Sequence, residues 1–291
     1  MPPRRTFIPL PWRDYSGTVS PLKAVVFAAL FLPFLVNAGD DVFDRLGARP
    51  ITELIHASGL WAIRLLFLSL AITPLRQILR LPRLILVRRM IGVAAFAYAA
   101  IHLSMDVVDK SFDLVAVISE IVHRYYLAIG ATALALLTAL AATSTDGMQR
   151  RLGGKRWQNL HRVAYLIALL ACVHFFMQSK IDTTQATVMA GLYLWLMAYR
   201  LLFWQGGARL AAAPMALILL CVGAGLATAL GEAACYGLFT GVDPWLVLEA
   251  DLGLAAGLRP GWTVLAITAA IAAAALARDL ARSPAARPAR T

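Results

Sequence analysis

Charge is scarce in this sequence. Asp, Glu, Lys and Arg make up 15% of the 291 residues, while 60% are hydrophobic. An ordinary soluble domain holds about 25% charged and about 45–50% apolar residues. With a mean hydropathy of +0.71, the balance excludes a globular enzyme and points to a membrane protein. Acidic residues are the rarer sign, 16 against 27 basic ones, for a net charge of +11. Binding nucleic acid would need a solvated basic face. Here the positive charge sits in short clusters between apolar runs, which is a topology signal. Cysteine is rarer still. Cys172, Cys221 and Cys235 form no CxxC, which excludes a disulfide scaffold; a lone buried Cys is usually a small hydrophobe. Low-complexity tracts are missing, so disorder and collagen are excluded too. No nucleotide motif is present: Gly153-Gly154-Lys155 lacks the earlier Gly and the following Ser or Thr of a P-loop. No polar stretch is long enough for a flavin or nicotinamide domain. A redox role would therefore need an electron donor in another molecule.

What is present is a series of apolar runs. A span needs about 20 mostly apolar residues. Eight candidates fall at roughly 22–37, 54–74, 88–107, 124–142, 158–178, 184–204, 212–231 and 261–278. The predicted fold is all-α, a polytopic membrane bundle of about eight helices. Basic residues cluster at the N-terminus (Arg4, Arg5, Arg13) and in the second connection (Arg76, Arg80, Arg83, Arg88, Arg89). They recur in the fourth connection (Arg150, Arg151, Lys155, Arg156), at Arg200 and Arg209, and in the tail (Arg278, Arg282, Arg287, Arg290). The odd connections are richer in acid. The first holds Asp40, Asp41 and Asp44; the third Asp106, Asp109, Asp113 and Glu120; the fifth Lys180 with Asp182. The seventh holds Glu232, Asp243, Glu249 and Asp251 against Arg259, and reads as a solvated acidic loop. The positive-inside rule then puts both termini in the cytoplasm. The first span also resembles a signal peptide, with Arg4 and Arg5 before it and the small residues Val36 and Ala38 after it. Its polar lead is long for an n-region, so an uncleaved span is expected.

Ionisable groups inside a membrane are costly and mark function by default. His102 lies on the third span, 14 residues past Arg88, or about 21 Å of helix rise. His174 lies on the fifth span, 17 residues past Trp157, or about 25 Å. Two His at matched outer depth on two helices can ligate one haem from both faces, a closed site suited to electron transfer. Two unrelated interfacial His satisfy the spacing equally well. His161 lies 13 residues before His174, or about 20 Å deeper, but roughly 140° around an ideal helix. It is either a ligand of a second haem with an unidentified partner or an interfacial, hydrogen-bonded His. His56 opens the second span at outer depth. Arg64, two turns further in, needs a partner such as a haem propionate, a quinone oxygen, a Glu or a carbonyl. His123, beside Tyr125 and Tyr126, reads as an interface residue. Trp12, Trp61, Trp157, Trp204 and Trp262 fall near span ends, where belt anchoring explains them.

These stretches resemble a known family. Glu53 to Arg64, Ala71-Ile72-Thr73-Pro74-Leu75-Arg76, Arg88-Arg89-Met90-Ile91-Gly92 and Ile101-His102-Leu103 are similar to MsrQ. The likeness is clearest in Thr143-Ser144-Thr145-Asp146-Gly147 and in the run from Arg151 through Gly153-Gly154-Lys155-Arg156-Trp157 to His161 and Tyr165, and it ends with His174. It covers roughly residues 50–204. MsrQ proteins are haem-binding membrane subunits of a periplasmic protein-methionine-sulfoxide reductase system, within the ferric-reductase-like transmembrane group. The resemblance implies b-type haem, one or two, ligated at His102, His161 and His174. It implies electrons from the quinone pool or a cytoplasmic flavin reductase, with FMN or quinone as further cofactors. The acceptor would be a periplasmic, molybdopterin-dependent methionine sulfoxide reductase that repairs oxidised envelope proteins. The cell inner membrane is the implied location. On this reading residues 1–21 are a cytoplasmic segment, 22–204 a six-helix ferric-reductase-like haem domain, and 205–291 an extension with two further spans. The extension departs from the family pattern. It carries no His, and its small residues Gly223, Ala224 and Gly225 suit close packing, so it reads as accessory.

The expected activity is a transmembrane electron conduit without a substrate-reducing site of its own. Electrons enter near His161 and the basic fourth connection, which could also attract an anionic flavin or its phosphate. They leave from an outer haem at His102 and His174, with His56 and Arg64 beside it. One rival is a ferric or oxygen reductase of the same superfamily. Another is a haem-free transporter or assembly protein, which paired broken helices would have favoured.

Overall fold

The structure, a computed structural model, describes residues 10–13, 17–43, 45–179, 182–253 and 257–282. Arg4, Arg5, Asp44, Lys180, Arg287 and Arg290 lie outside them. The described residues form helices, with one isolated bridge between Arg13 and Val19 and no strand. In chain order the helices are α1 (Pro21–Ala29), α2 (Leu32–Val42), α3 (Pro50–Ile78), α4 (Ile85–Asp109, led by the 3-10 turn Pro82–Leu84), α5 (Leu114–His123), α6 (Tyr125–Ala142) and α7 (Asp146–Leu152). There follow α8 (Gly154–His161), α9 (Val163–Gln178), α10 (Thr184–Ala211), α11 (Pro214–Thr240), α12 (Pro244–Leu252) and α13 (Pro260–Arg282). Proline opens α1, α3, α11, α12 and α13, where its missing N–H costs nothing and its fixed φ suits the first turn.

Among the described residues, eight stretches of helix are long and apolar enough to cross a membrane. They are α1 with α2, α3, α4, α6, α8 with α9, α10, α11 and α13. All eight expected spans are therefore present. The short helices α5, α7, α8 and α12 fall in or beside what the sequence offers as connections.

The chain divides into two compact units, Met1–Ser69 with Ile85–Leu170, and Leu70–Leu84 with Ala171–Thr291. In the first, α1 packs on α4, and α4 and α5 pack on α6. The first span is broken by Pro33, and the break is closed by a side chain from α4. In an unbroken helix the Phe34 N–H would donate to the Leu30 carbonyl. Here it donates to the Tyr98 hydroxyl at 3.1 Å, which donates on to Leu30 at 2.8 Å. The hydroxyl satisfies both freed groups, as an apolar environment requires. At the turn after α4, Lys110 lies 3.1 Å from Glu120. Its hydrogen bond to Glu120 holds the Lys110 ammonium above its usual pKa.

The second unit shows the same device at Pro74, inside α3. Proline cannot donate to the Leu70 carbonyl; the Arg200 Nη2 of α10 donates to it at 3.0 Å. Arg278 of α13 donates to the Ile78 carbonyl at 2.6 Å, and the Tyr199 hydroxyl to Gln77 Oε1 at 3.0 Å. The two C-terminal spans pack through small residues. A Cβ on Gly191 of α10 would lie 2.2 Å from Thr228 Oγ1 of α11 and 2.7 Å from Val264 of α13. One on Gly261 would lie 3.0 Å from the Gly225 carbonyl. Close backbone approach of this kind drives association where no hydrophobic force operates between helices.

The acidic seventh connection is corrected here. Glu232 falls within α11 and Asp251 within α12, and they are 3% and 1% exposed. Arg259 donates to both, at 2.7 Å each, from just before α13. The two carboxylates are an internal clamp, not solvated charge. A chain position between two apolar runs did not reveal this, because Arg259 reaches both carboxylates only once α11, α12 and α13 pack on one another.

Candidate functional site

His102 sits on α4, half-buried, with its ring against α3. Nδ1 lies 2.8 Å from the Ile55 carbonyl. A carbonyl only accepts, so Nδ1 carries a proton, and in the neutral ring Nε2 then holds the lone pair. A backbone carbonyl behind the ring is the usual way to fix the tautomer and orientation of a metal-binding imidazole. Gly59, one turn past Ile55, makes room for it: a Cβ there would stand 2.9 Å from Nδ1 and 3.1 Å from Cε1 of His102. Ser58, buried beside it, donates to the Leu54 and Ile55 carbonyls. The stretch from Ile55 to Gly59 thus serves His102 through a carbonyl and a missing side chain. His56 itself, the residue of that stretch with chemistry to offer, is exposed on α3. Arg64, two turns on and half-buried, holds its guanidinium 5.1 Å from the Trp61 ring centroid.

His161 closes α8. Its Nδ1 donates to the Trp157 carbonyl at 3.0 Å, and its ring stacks on the Trp157 indole at 3.8 Å and 25°. Nε2 lies 3.2 Å from the Ser144 hydroxyl, which is also 2.7 Å from the Leu140 carbonyl. The hydroxyl has one proton for two acceptors, so its direction reports whether Nε2 is protonated. Trp157 is fixed in turn by its Nε1 donating to the Thr143 carbonyl at 2.9 Å. An indole expected only to anchor the chain at the interface is therefore part of the His161 environment.

The fold of the fourth connection explains this grouping. Thr145 caps α7 by accepting from the Met148 N–H at 3.2 Å, and Asp146 pairs with Arg89 of α4. Gly153, at φ 75°, turns the chain from α7 into α8, a conformation that favours glycine. The Gly153-Gly154-Lys155 run is a helix junction, not a phosphate cradle. His174 lies on α9, half-buried, in the second unit, two residues past the buried Cys172. His123 ends α5, exposed, with its Nδ1 2.7 Å from the Ser119 carbonyl.

Sequence reasoning missed Gly59, Ser58, the Ile55 carbonyl and Ser144. A carbonyl carries no sequence signal. For Gly59 the signal existed: a glycine inside an apolar helix usually marks a close approach.

Comparison with known proteins gives the arrangement its relatives. Residues 58–172 match the family model of the ferric reductase like transmembrane component. The chain is 39% identical to the protein-methionine-sulfoxide reductase heme-binding subunit MsrQ of Herminiimonas arsenicoxydans, over 63% of this chain and 85% of that protein. It is 40% identical to the MsrQ of Xanthomonas campestris pv. campestris strain 8004, over 64% and 88%. It is also 40% identical to that of Rhodospirillum rubrum, over 65% and 89%. No solved structure matches the chain. About a third of the sequence lies outside these matches, which nonetheless span most of each relative. A chain with this identity over that share of its relatives, and with eight apolar helices, is a multi-pass membrane protein that belongs to the MsrQ family.

Proposed function

We propose that this protein is the haem b-binding membrane subunit of a protein-methionine-sulfoxide reductase system, passing electrons outward to a periplasmic catalytic subunit. The observation that carries the reading is the His102 ring, whose Nδ1 donates to the Ile55 carbonyl, the orienting contact that a metal-binding imidazole usually has. These residues fit a haem iron. His102 and His174 are the proposed axial ligands. Bound haem would supply one-electron transfer at a potential set by its axial ligands and burial. Ile55 and Gly59 position the His102 ring. Arg64 provides positive charge for a propionate or a quinone oxygen. His56, at the same depth in sequence but exposed, is assigned the mouth of the outer site.

His161 is placed on the donor side. Both of its nitrogens are held by hydrogen bonds, so a second haem ligated there would have to displace Ser144. Beside it stand Arg88 and the basic fourth connection, suited to an anionic flavin or its phosphate. The donor is the quinone pool or a cytoplasmic flavin reductase, with FMN as a further cofactor. The acceptor is a periplasmic, molybdopterin-dependent methionine sulfoxide reductase. The positive-inside rule supports cytoplasmic termini in the inner membrane of a bacterium. Residues 22–204 form the haem-binding domain, and 205–291 an accessory extension that packs against α10 through Gly191 and Thr228.

The test is the reduced-minus-oxidised spectrum and haem-to-protein ratio of the purified protein and of His102→Ala, His161→Ala and His174→Ala. A low-spin b-type spectrum lost with either His102 or His174 supports the outer site. A ratio near two, halved by His161→Ala, would make His161 a second-haem ligand; an unchanged ratio keeps it on the donor side. A colourless protein, made with haem in supply, would overturn the reading in favour of a transporter. Turnover on ferric iron or oxygen without a periplasmic partner would favour the ferric-reductase rival.

A further inference from the structure

We propose that the groove between the broken first span and α4 binds one anionic glycerophospholipid, phosphate at its basic mouth and an acyl chain along its length. The groove has a volume of about 1200 Å³, above the roughly 300–1,000 Å³ of most small-molecule pockets. One wall is a single face of α4: Leu86, Met90, Val93, Ala97 and Ile101 line it at spacings of three and four. From Arg89 to Ile101 that face rises about 18 Å, the scale of an extended acyl chain within one leaflet. The facing wall is aromatic, from Phe27, Phe31 and Phe34 of α1 and α2. The break that Tyr98 closes holds these rings around the slot.

The mouth differs in kind. Among the described residues, Arg13, Lys23, Arg89 and Arg150 stand there with Asp146 as the single carboxylate, which pairs with Arg89. Four cations against one anion leave an excess of positive charge where a headgroup would rest, flanked by the Ser144 and Thr145 hydroxyls. A phosphodiester meets that charge; a quinone head, being neutral, leaves it unused. Basic pockets between membrane helices, with apolar slots leading from them, suit anionic headgroups. The proposal does not depend on haem binding, which is read by absorbance in the same samples.

Native mass spectrometry of the full-length protein tests it. The detergent-purified, delipidated protein is titrated separately with phosphatidylglycerol, phosphatidylcholine and ubiquinone. One phosphatidylglycerol is expected to bind at least about tenfold tighter than phosphatidylcholine, whose choline cation already compensates the phosphate charge and is repelled by the basic mouth. The exposed pair Arg13→Gln and Arg150→Gln should abolish the preference without touching the core. Ala97→Phe, which puts a ring into the slot, should weaken both lipids. Equal binding of the two lipids would overturn the proposal, as would a preference that survives both variants. Ubiquinone binding that Ala97→Phe blocks and the charge variants leave unchanged would make the groove a quinone site instead.

Discussion

At the residue scale, the protein uses backbone atoms to define its histidines. The Ile55 carbonyl selects the tautomer of His102, and Gly59 lets the ring lie against α3. Gly59→Ala should act on the proposed haem site without removing either proposed ligand. The methyl group meets Nδ1 at 2.9 Å and must push the ring off its carbonyl. Loss of such an orienting contact costs about 10–100-fold in metal affinity. The expected outcome is haem retention reduced by about tenfold or more, with an altered low-spin spectrum in the remainder. Normal haem content and spectrum in this variant would remove Gly59 from the site. Away from the membrane, Asp182 accepts from the Thr184 N–H at 2.9 Å, ahead of α10. The Thr184 hydroxyl and then this N–H, both hydrogen-bonding the carboxylate, hold its carboxyl below the usual 3.8. A depressed folded value means a contribution present above the ordinary pKa and lost as pH falls through the folded one. The stability gap between the parent and Asp182→Ala should therefore narrow on acidification below about pH 4, measured by thermal unfolding.

At the scale of elements, each proline break is matched by a polar side chain from a neighbouring helix. Tyr98 serves Pro33, and Arg200 serves Pro74. Tyr98→Phe keeps the ring and removes only the hydroxyl between Phe34 and Leu30. It should destabilise the protein by about 1–3 kcal/mol, the cost of a buried polar group left unmatched. An unchanged melting temperature in detergent would show that the break is satisfied in another way. The clamp at α11, α12 and α13 is a stronger case. Arg259→Leu strands the Glu232 and Asp251 carboxylates, both almost fully buried. Removing one partner of a buried ionic group costs about 3–5 kcal/mol. Replacing all three by apolar residues should recover much of that loss, since the charges are no longer buried unpaired.

At the scale of the whole molecule, the C-terminal spans complete a packed surface. Gly191, Ala186 and Trp195 of α10 are buried in the second unit, where α11 and α13 pack on α10. A variant ending at residue 204 bares that face. It should melt several degrees lower, on the order of what the loss of a few kcal/mol produces. Haem per folded molecule should stay at the parental level if the extension is accessory. A fall in haem content would give the extension a share in the site.

The span count was legible because a bilayer imposes length and apolarity on each helix and a charge bias on each connection. Those are properties of short windows, so eight runs of sequence became eight helices. The residues that matter around the histidines were legible only in part. His102, His161 and His174 stand out because ionisable groups are rare at membrane depth. The Gly59 contact, the Ser144 hydroxyl on His161 and the stacking of Trp157 were not, because each joins positions whose nearness depends on how helices or turns pack. The same limit hid the state of Glu232 and Asp251. A sequence records that a carboxylate lies between two apolar runs, and its burial depends on how the flanking helices pack and whether that packing brings a guanidinium to it. Which residues must cross the membrane, and in what order, was set by the chain itself. Which of the polar groups are matched, and by whom, only the tertiary structure decided, because in an apolar medium an unmatched group is costly and its partner can come from anywhere in the fold.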